Sequence, residues 1–375
     1  MAIRNTSFEL TIGKHEDKLE CSLTRPDYPS KAAQDFTSPF SPKSALEITT
    51  SFNKVKSLAR KEISSEKFFE PVSVLGMEVG LVLEPILTHF NLIEPKGKAR
   101  LNLTLSLDKY TVKIPWELAL LASEKDPLLF LCRRMNIGRM MEVQRKEGFV
   151  DNLNPKKVPQ EKRALVVGLD YKKSKSKRLD GAQDDAKRVH EKLEDFGKKN
   201  KLKVLPLLVG GNAKKSVIEK RLKNGLDIFH FSGHGNVYGN IGEISLNGRE
   251  VLSAQKVDEM LHKFKVKAPK FSFMNACETC LQKPSGRLVK DWAHAMANNG
   301  GRTLIGTFWS IADNDSTNFS TAFYRSFFSD GKTIGESVRM AREETEKKRE
   351  EEDFSTWPAF VLYGPPTLRA SDIID

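Results

Sequence analysis

The chain has 375 residues, 39% hydrophobic and 29% charged, which is enough apolar material for one large α/β domain or two lobes and too much for a peptide or a disordered tail. Lysine and arginine number 61 against 49 acids, a formal charge of +12 that brings an acidic partner into consideration, yet no zinc finger, RRM or basic zipper signature accompanies it. Four cysteines in so long a chain provide no disulfide framework, and the opening MAIRNTSFEL lacks an apolar signal core, so a reducing, cytoplasmic setting is expected.

Phe8, Leu10 and Ile12 alternate with polar residues, as do Leu19, Cys21 and Leu23, across the polar turn 13–17; this predicts a hairpin with one wet face. A Pro/Ser-rich stretch, 26–42, follows. Helical periodicity then runs over 44–63 and 74–90. Glu78, Gly80, Glu84 and Pro85 interrupt the second run well short of the ~20 apolar residues a spanning helix needs, so no membrane partner is expected. Leu101, Leu103 and Leu105 read as a strand before Pro115-Trp116-Glu117-Leu118, which starts an apolar, helix-like run. Residues 146–162 are polar, contain Pro155 and Pro159 and show no period. The expected division is a smaller α+β supporting lobe at 1–150, a linker at 151–162 and a second domain at 163–375.

Beyond the linker, short apolar runs at 164–169, 204–209, 228–231, 271–274 and 302–307 alternate with helical patterns at 183–196, 214–222, 254–264 and 288–297. That alternation predicts an α/β domain built on a doubly wound, mostly parallel sheet with helices on both faces. Pro206 has no N–H for a ladder, which puts the second strand at a sheet edge. Helices over 317–328 and 334–346 and a strand at 360–363 close the chain.

Two strand ends carry reactive groups. One strand runs into Ser232-Gly233-His234-Gly235, the next into Asn275-Ala276-Cys277-Glu278-Thr279. Open parallel sheets bind ligands at the carboxyl ends of their strands, and neighbouring strands lie ~4.8 Å apart, so a thiol and an imidazole are expected to share a cleft. Such a pair suits acyl transfer at a peptide bond. The thiolate attacks, and the imidazole lowers the thiol's pKa or protonates the departing amine. The backbone amides of Gly235 and Cys277 are natural oxyanion donors.

The order strand, His-Gly, helix, strand, Ala-Cys-Glu-Thr resembles the CHAT domain, a prokaryote-rich branch of the caspase-like (clan CD) cysteine peptidases that includes separases and metacaspases. The segments 164–171 and 179–186, the loop Ile305-Gly306-Thr307-Phe308-Trp309-Ser310-Ile311-Ala312-Asp313 and the stretch Trp357 to Gly364 fit the same pattern, and 101–118 resembles the strand and Pro-Trp-Glu segment that often precede it. The resemblance implies Cys277 as nucleophile, His234 as general acid/base, the Gly235 and Cys277 amides as oxyanion hole, and neither cofactor nor metal. It implies a protein substrate and a protein activator or sensor complex, as in bacterial defence systems, with nucleic acid involved only indirectly. The Asn-Ala-Cys-Glu-Thr context is not the Gln-Ala-Cys-x-Gly of animal caspases, so aspartate specificity does not carry over. Cys280 stands where many CHAT sequences have glycine, a second thiol able to tune or oxidise the site.

Other readings stand beside these. Cys277 and Cys280 form a CxxC, but no second CxxC or paired histidines accompany it for zinc. In related peptidases the loop bearing Trp309, Asp313 and Asp315 helps line the pocket for the residue before the cut. A carboxylate there, or Glu278, would select a basic side chain, and the same aspartates could cap a helix. Asp170, Asp180, Asp184 and Asp185 either face the cleft or begin a helix. Lys172 to Arg178 reads as a solvated loop, a self-cleavage loop or a docking surface. His230 reads as a packed histidine. The competing function is a catalytically silent caspase-like adaptor that binds a protein or nucleic acid through its basic surface.

Overall fold

The computed structural model describes residues 6–26, 32–61, 65–93, 100–121, 130–141, 161–171, 179, 181–238, 241–247, 250–280, 291–348 and 356–374; the lysine run 172–178, Asp180 and linker residues 151–160 lie outside the described residues. The chain opens with the expected hairpin, β1 (Thr6–His15) and β2 (Lys18–Thr24), buried on one face through Leu10, Ile12, Leu19, Cys21 and Leu23. Its turn is tighter than the sequence pattern implied, because Glu16 takes φ 50° and closes the hairpin in two residues. β3 (Gln34–Pro39), unanticipated in the Pro/Ser-rich stretch, pairs with β2. α1 (Pro42–Ala59) starts with Pro42 just inside it and Ser41 Oγ accepting the Ser44 N–H at 3.0 Å, two ordinary start signals.

α2 (Ser65–His89) begins nine residues before the expected helical run at 74–90 and continues through Pro71 and Pro85. Pro85 lies on the exposed face, as does Leu81, whose carbonyl loses its helical partner there and can turn to water. By length and composition alone, Lys67–His89 could cross a membrane, but 56% of its most apolar stretch is buried within the protein. Its inner face meets the backbone around Leu120 so closely that a Cβ on Gly80 would lie 2.0 Å from the Leu120 carbonyl oxygen. β4 (Leu101–Leu107), α3 (Leu131–Arg134) and β5 (Asn136–Met141) complete this half. The Pro-Trp-Glu segment forms a single 3-10 turn, Trp116–Leu118, rather than the start of a helix.

The second half contains β6 (Lys162–Gly168), α4 (Ala182–Asn200), β7 (Leu202–Val204), β8 (Leu208–Val209), α5 (Lys215–Lys223) and β9 (Ile228–Ser232). A small antiparallel sheet of β10 (Gly235–Tyr238), β11 (Ile241–Ser245) and β12 (Val251–Ser253) follows, then α6 (Ala254–Phe264), β13 (Phe271–Asn275), α7 (Trp292–Asn298) and β14 (Thr303–Thr307). α8 (Asp313–Tyr324), α9 (Ile334–Lys348), β15 (Phe360–Tyr363) and α10 (Ala370–Ile374) end it.

Both halves share one sheet, ordered β3-β2-β1-β4-β5-β15-β14-β13-β9-β6-β7, with β8 also on β6. From β6 to β14 the pairing is parallel, as the alternation required; β15 runs antiparallel to β14 and parallel to β5. The chain breaks at Leu205-Pro206-Leu207 between the two edge pieces, where proline removes a ladder donor. Ala186, Val189 and Leu193 of α4, Phe319 and Phe323 of α8 and Val338 of α9 cover one face, while α5, α6 and α7 cover the other. Across the β5–β15 seam, Arg139 is wholly buried. Its guanidinium pairs with Glu117, donates to the Val112 and Ile114 carbonyls at 2.7 and 2.8 Å, and lies 4.8 Å from the Phe308 ring centroid. A buried cation is stable only with its donors so satisfied, and this one ties the Pro-Trp-Glu turn to the loop after β14.

Candidate active site

β9 and β13 pair in parallel with Ser232 opposite Asn275, so the two chains leave the sheet side by side. Gly233 N–H donates to the Asn275 carbonyl at 3.2 Å, which carries the register one step further. His234 and Cys277 come next on either chain, both half-buried. Gly235 touches the Cys277 backbone: a Cβ there would stand 2.2 Å from the Cys277 carbonyl oxygen and 3.2 Å from Ala276 Cβ. Only a residue without a side chain permits this approach. Ser245 N–H donates to the His234 carbonyl at 2.9 Å, which leaves Gly235 and Ile244 as the non-bonded pair of the ladder and turns the Gly235 amide away from β11.

His234 is held by a residue the sequence reading passed over. The Tyr171 hydroxyl accepts the His234 backbone N–H at 3.0 Å and donates to the Ser245 carbonyl at 2.7 Å, while the two rings lie 4.6 Å apart at 34°. Burial pushes the Tyr171 phenol above its ordinary range, so the hydroxyl remains a donor.

The Cys277 turn is fastened from β14. Thr307 Oγ1 donates to the Ala276 carbonyl at 2.7 Å, Thr307 N–H to Thr279 Oγ1 at 3.1 Å, and Cys280 N–H to the Thr307 carbonyl at 3.0 Å. The sulfur faces the loop after β14. Burial raises the Cys277 thiol above its ordinary 9.0; hydrogen bonds from the Ile311 backbone and the Ser310 side chain oppose that shift, and the charges of Glu278 and Asp313 add to it. Cys280 is fully buried, its Sγ 2.4 Å from where a Gly306 Cβ would be, and its thiol is held well above 9.0 by burial. It is an unreactive packing residue in this arrangement. Among the described residues no three His, Cys, Asp or Glu side chains converge as metal ligands.

Below the strand ends lies a sealed polar cluster. His230 Nε2 is 3.1 Å from Asp185 Oδ2 and its Nδ1 is 3.1 Å from the Tyr324 hydroxyl; Asn275 Nδ2 donates to the same Asp185 oxygen at 2.8 Å and Ser320 Oγ to the other. All five residues are buried, so Asp185 does not face the cleft.

The residues predicted to contact substrate have partners within the chain. Asp170 Oδ1 accepts the Gln183 N–H at 2.7 Å, capping α4 from the end of β6. Asp313 begins α8, and its Oδ2 accepts the Gly181 N–H at 2.8 Å, joining the starts of two helices. Glu278 is buried, with φ 55°, and Arg60 Nε donates to its Oε1 at 2.7 Å. Trp309 has no exposed surface: Phe52 of α1 and Phe68 of α2 meet it edge-on at 6.3 and 6.0 Å. Sequence placed it in a pocket wall; its ring is packed into the core between the halves. The long-range partner Arg60 left no local pattern to read, while Tyr171 and Ser310 lie within stretches whose overall resemblance was visible.

A parallel sheet ending in a histidine and a cysteine on adjacent strands is the architecture of the caspase-like cysteine peptidases. The structure superposes on separase in the separase–securin complex of Saccharomyces cerevisiae with a TM-score of 0.58 at 12% identity, covering 96% of this chain and 30% of the separase chain. It superposes on the Arg-specific cysteine proteinase gingipain R with a TM-score of 0.51 at 10% identity, covering 78% of this chain and 68% of that one. The chain therefore spans under a third of the length of its separase relative. Among curated protein sequences none matches. The family model of the CHAT domain matches residues 80–365, and the chain belongs to that family.

Proposed function

We propose that the protein is a cysteine endopeptidase that cleaves a partner protein, acting as a regulated effector in a bacterial defence or signalling system and working in the cytoplasm. The observation that carries this reading is the contact between Gly235 and the Cys277 carbonyl, which puts the histidine and cysteine strand ends against each other. With the thiol held neutral, attack on the scissile carbonyl proceeds as His234 takes the sulfur's proton. The same imidazolium then protonates the departing amine, and water hydrolyses the thioester. The amides of Gly235 and Cys277 stabilise the oxyanion. Asp170, Asp313 and Glu278 already accept bonds within the chain, so a basic substrate side chain has to share or displace those partners. The lobe at 1–150 supports the domain at 163–375, and a second polypeptide controls access or presents the substrate.

A covalent peptide probe directed at cysteine tests the reading. Labelling is expected at Cys277, abolished in Cys277→Ala and at least tenfold slower in His234→Ala. No labelling with any candidate activator present supports the adaptor instead.

A further inference from the structure

We infer that Arg60, at the end of the first helix of the amino-terminal half, is a positioning residue that sets the nucleophile turn through Glu278. The inference rests on Cys277 being the nucleophile. Arg60 caps α1 and is more than half exposed, whereas the Glu278 carboxylate it reaches is 4% exposed. Nε and one terminal nitrogen both donate to Oε1; Oε2 is buried with no hydrogen-bond partner among the described residues. No other cation among the described residues pairs with Glu278. A buried carboxylate stripped of its cation is unstable and turns toward water.

Glu278 has little freedom to respond locally. It follows Cys277 directly and sits at φ 55°, a conformation a side chain tolerates only where its surroundings impose it. Thr307 anchors the turn at residues 276, 279 and 280, which leaves the 277–278 linkage as the part that Arg60 determines. The Cys277 carbonyl already abuts Gly235, so rotation there moves the peptide groups that flank the sulfur. The guanidinium also pairs with a carboxylate whose charge acts on the thiol. The amino-terminal half thus reaches the site by two routes: Phe52 and Phe68 back the Trp309 loop, and Arg60 holds Glu278.

The test is the rate of Cys277 carbamidomethylation by iodoacetamide at one fixed pH, read by peptide mapping on the full chain. It needs no peptidase activity, so it separates this inference from the functional reading. Cys21, Cys132 and Cys280 are buried, and their labelling reports unfolding. Arg60→Gln is expected to slow alkylation of Cys277 about tenfold, the effect of one pKa unit on the thiolate population, and Arg60→Lys to recover most of it. In the Glu278→Gln background, Arg60→Gln is expected to change the rate less than twofold, because the charge that Arg60 balances is gone. A parental rate in Arg60→Gln, or an undiminished tenfold loss in the Glu278→Gln background, overturns the inference. If Arg60→Gln alone exposes the buried thiols, the comparison in the Glu278→Gln background decides.

Discussion

Gly235→Ala puts the meeting of the two strand ends to a direct test. The new methyl carbon would fall 2.2 Å from the Cys277 carbonyl oxygen, where ordinary contact begins at 3.4 Å, and 3.2 Å from Ala276 Cβ. The obstruction is backbone, anchored by Thr307 on one side and by the β10–β11 ladder on the other, so the two chains must part by about 1 Å. Overpacking of this kind costs about 1–3 kcal/mol, and a 1 Å misplacement of reacting groups costs about a hundredfold in rate. Thermal unfolding is expected to show a midpoint lowered by a few degrees, and acylation of Cys277 by the peptide probe to fall about a hundredfold. Gly211→Ala is the control. Nothing lies within 4 Å of its added carbon, so it should stay within about 0.5 kcal/mol of the parent. A Gly235→Ala protein with parental midpoint and parental acylation would show that His234 and Cys277 do not adjoin, and the proposed mechanism would fail with that result.

Three further outcomes follow from the packing. Tyr171→Phe removes the acceptor for the His234 N–H and the donor to Ser245 O; acylation should drop at least fivefold and denaturant unfolding should show a loss of about 1–3 kcal/mol, whereas unchanged acylation would free Tyr171 from any part in holding His234. Arg139→Met strands the buried Glu117 carboxylate and should destabilise by about 3–5 kcal/mol, with Arg139→Met/Glu117→Leu closer to the parent; a double variant worse than the single would contradict a charge-pair role. Burial raises the Cys21 thiol from 9.0 to about 12, so the neutral thiol is favoured in the folded state and ionisation in the unfolded one. The stability this contributes is complete below pH 9 and is lost between pH 9 and about 12, up to about 4 kcal/mol. Denaturation at pH 8.5 and 11 should therefore show a smaller alkaline loss in Cys21→Ala than in the parent.

The parts of this molecule that sequence disclosed are those whose chemistry is local. The hairpin around Leu10 and Cys21 and the strands that end at Ser232 and Asn275 could be read because one face, or both, must be apolar over consecutive residues. β5 escaped notice for the opposite reason: Asn-Ile-Gly-Arg-Met-Met holds a buried arginine whose charge is balanced by Glu117, 22 positions away. β3 is a polar edge strand with Phe36 as its one large apolar side chain, and β10 to β12 are short and half exposed. At the site, His234 and Cys277 announced themselves by following apolar strands. Arg60 lies 218 positions from Glu278, and Tyr171 lies 63 from His234; no spacing rule reaches across such intervals. Asp170 and Asp313 were ambiguous in sequence because a carboxylate at a helix start caps and binds with the same oxygen atoms.

Whether residues 163–375 stand alone is decided by the seam they would lose. Gly364 N–H donates to the Arg139 carbonyl at 2.7 Å, Arg339 Nε to Asn136 Oδ1 at 3.1 Å, and Arg133 pairs with Glu346 at 3.3 Å, all across the two halves. Without 1–150, Trp309 loses Phe52 and Phe68, and Phe308 loses Arg139 and Phe52. Exposing two such rings costs about 3–6 kcal/mol, against a net stability of about 5–15 kcal/mol for a whole domain. The edge of β15 would also be left open beside them, an invitation to self-association. Expressed alone, 163–375 is expected to aggregate or to lack cooperative unfolding, and co-expression with 1–150 should recover a soluble complex in which the probe labels Cys277. A monomeric 163–375 fragment that unfolds cooperatively and is labelled at the parental rate would show that the amino-terminal half is dispensable to the site, and Arg60 with it.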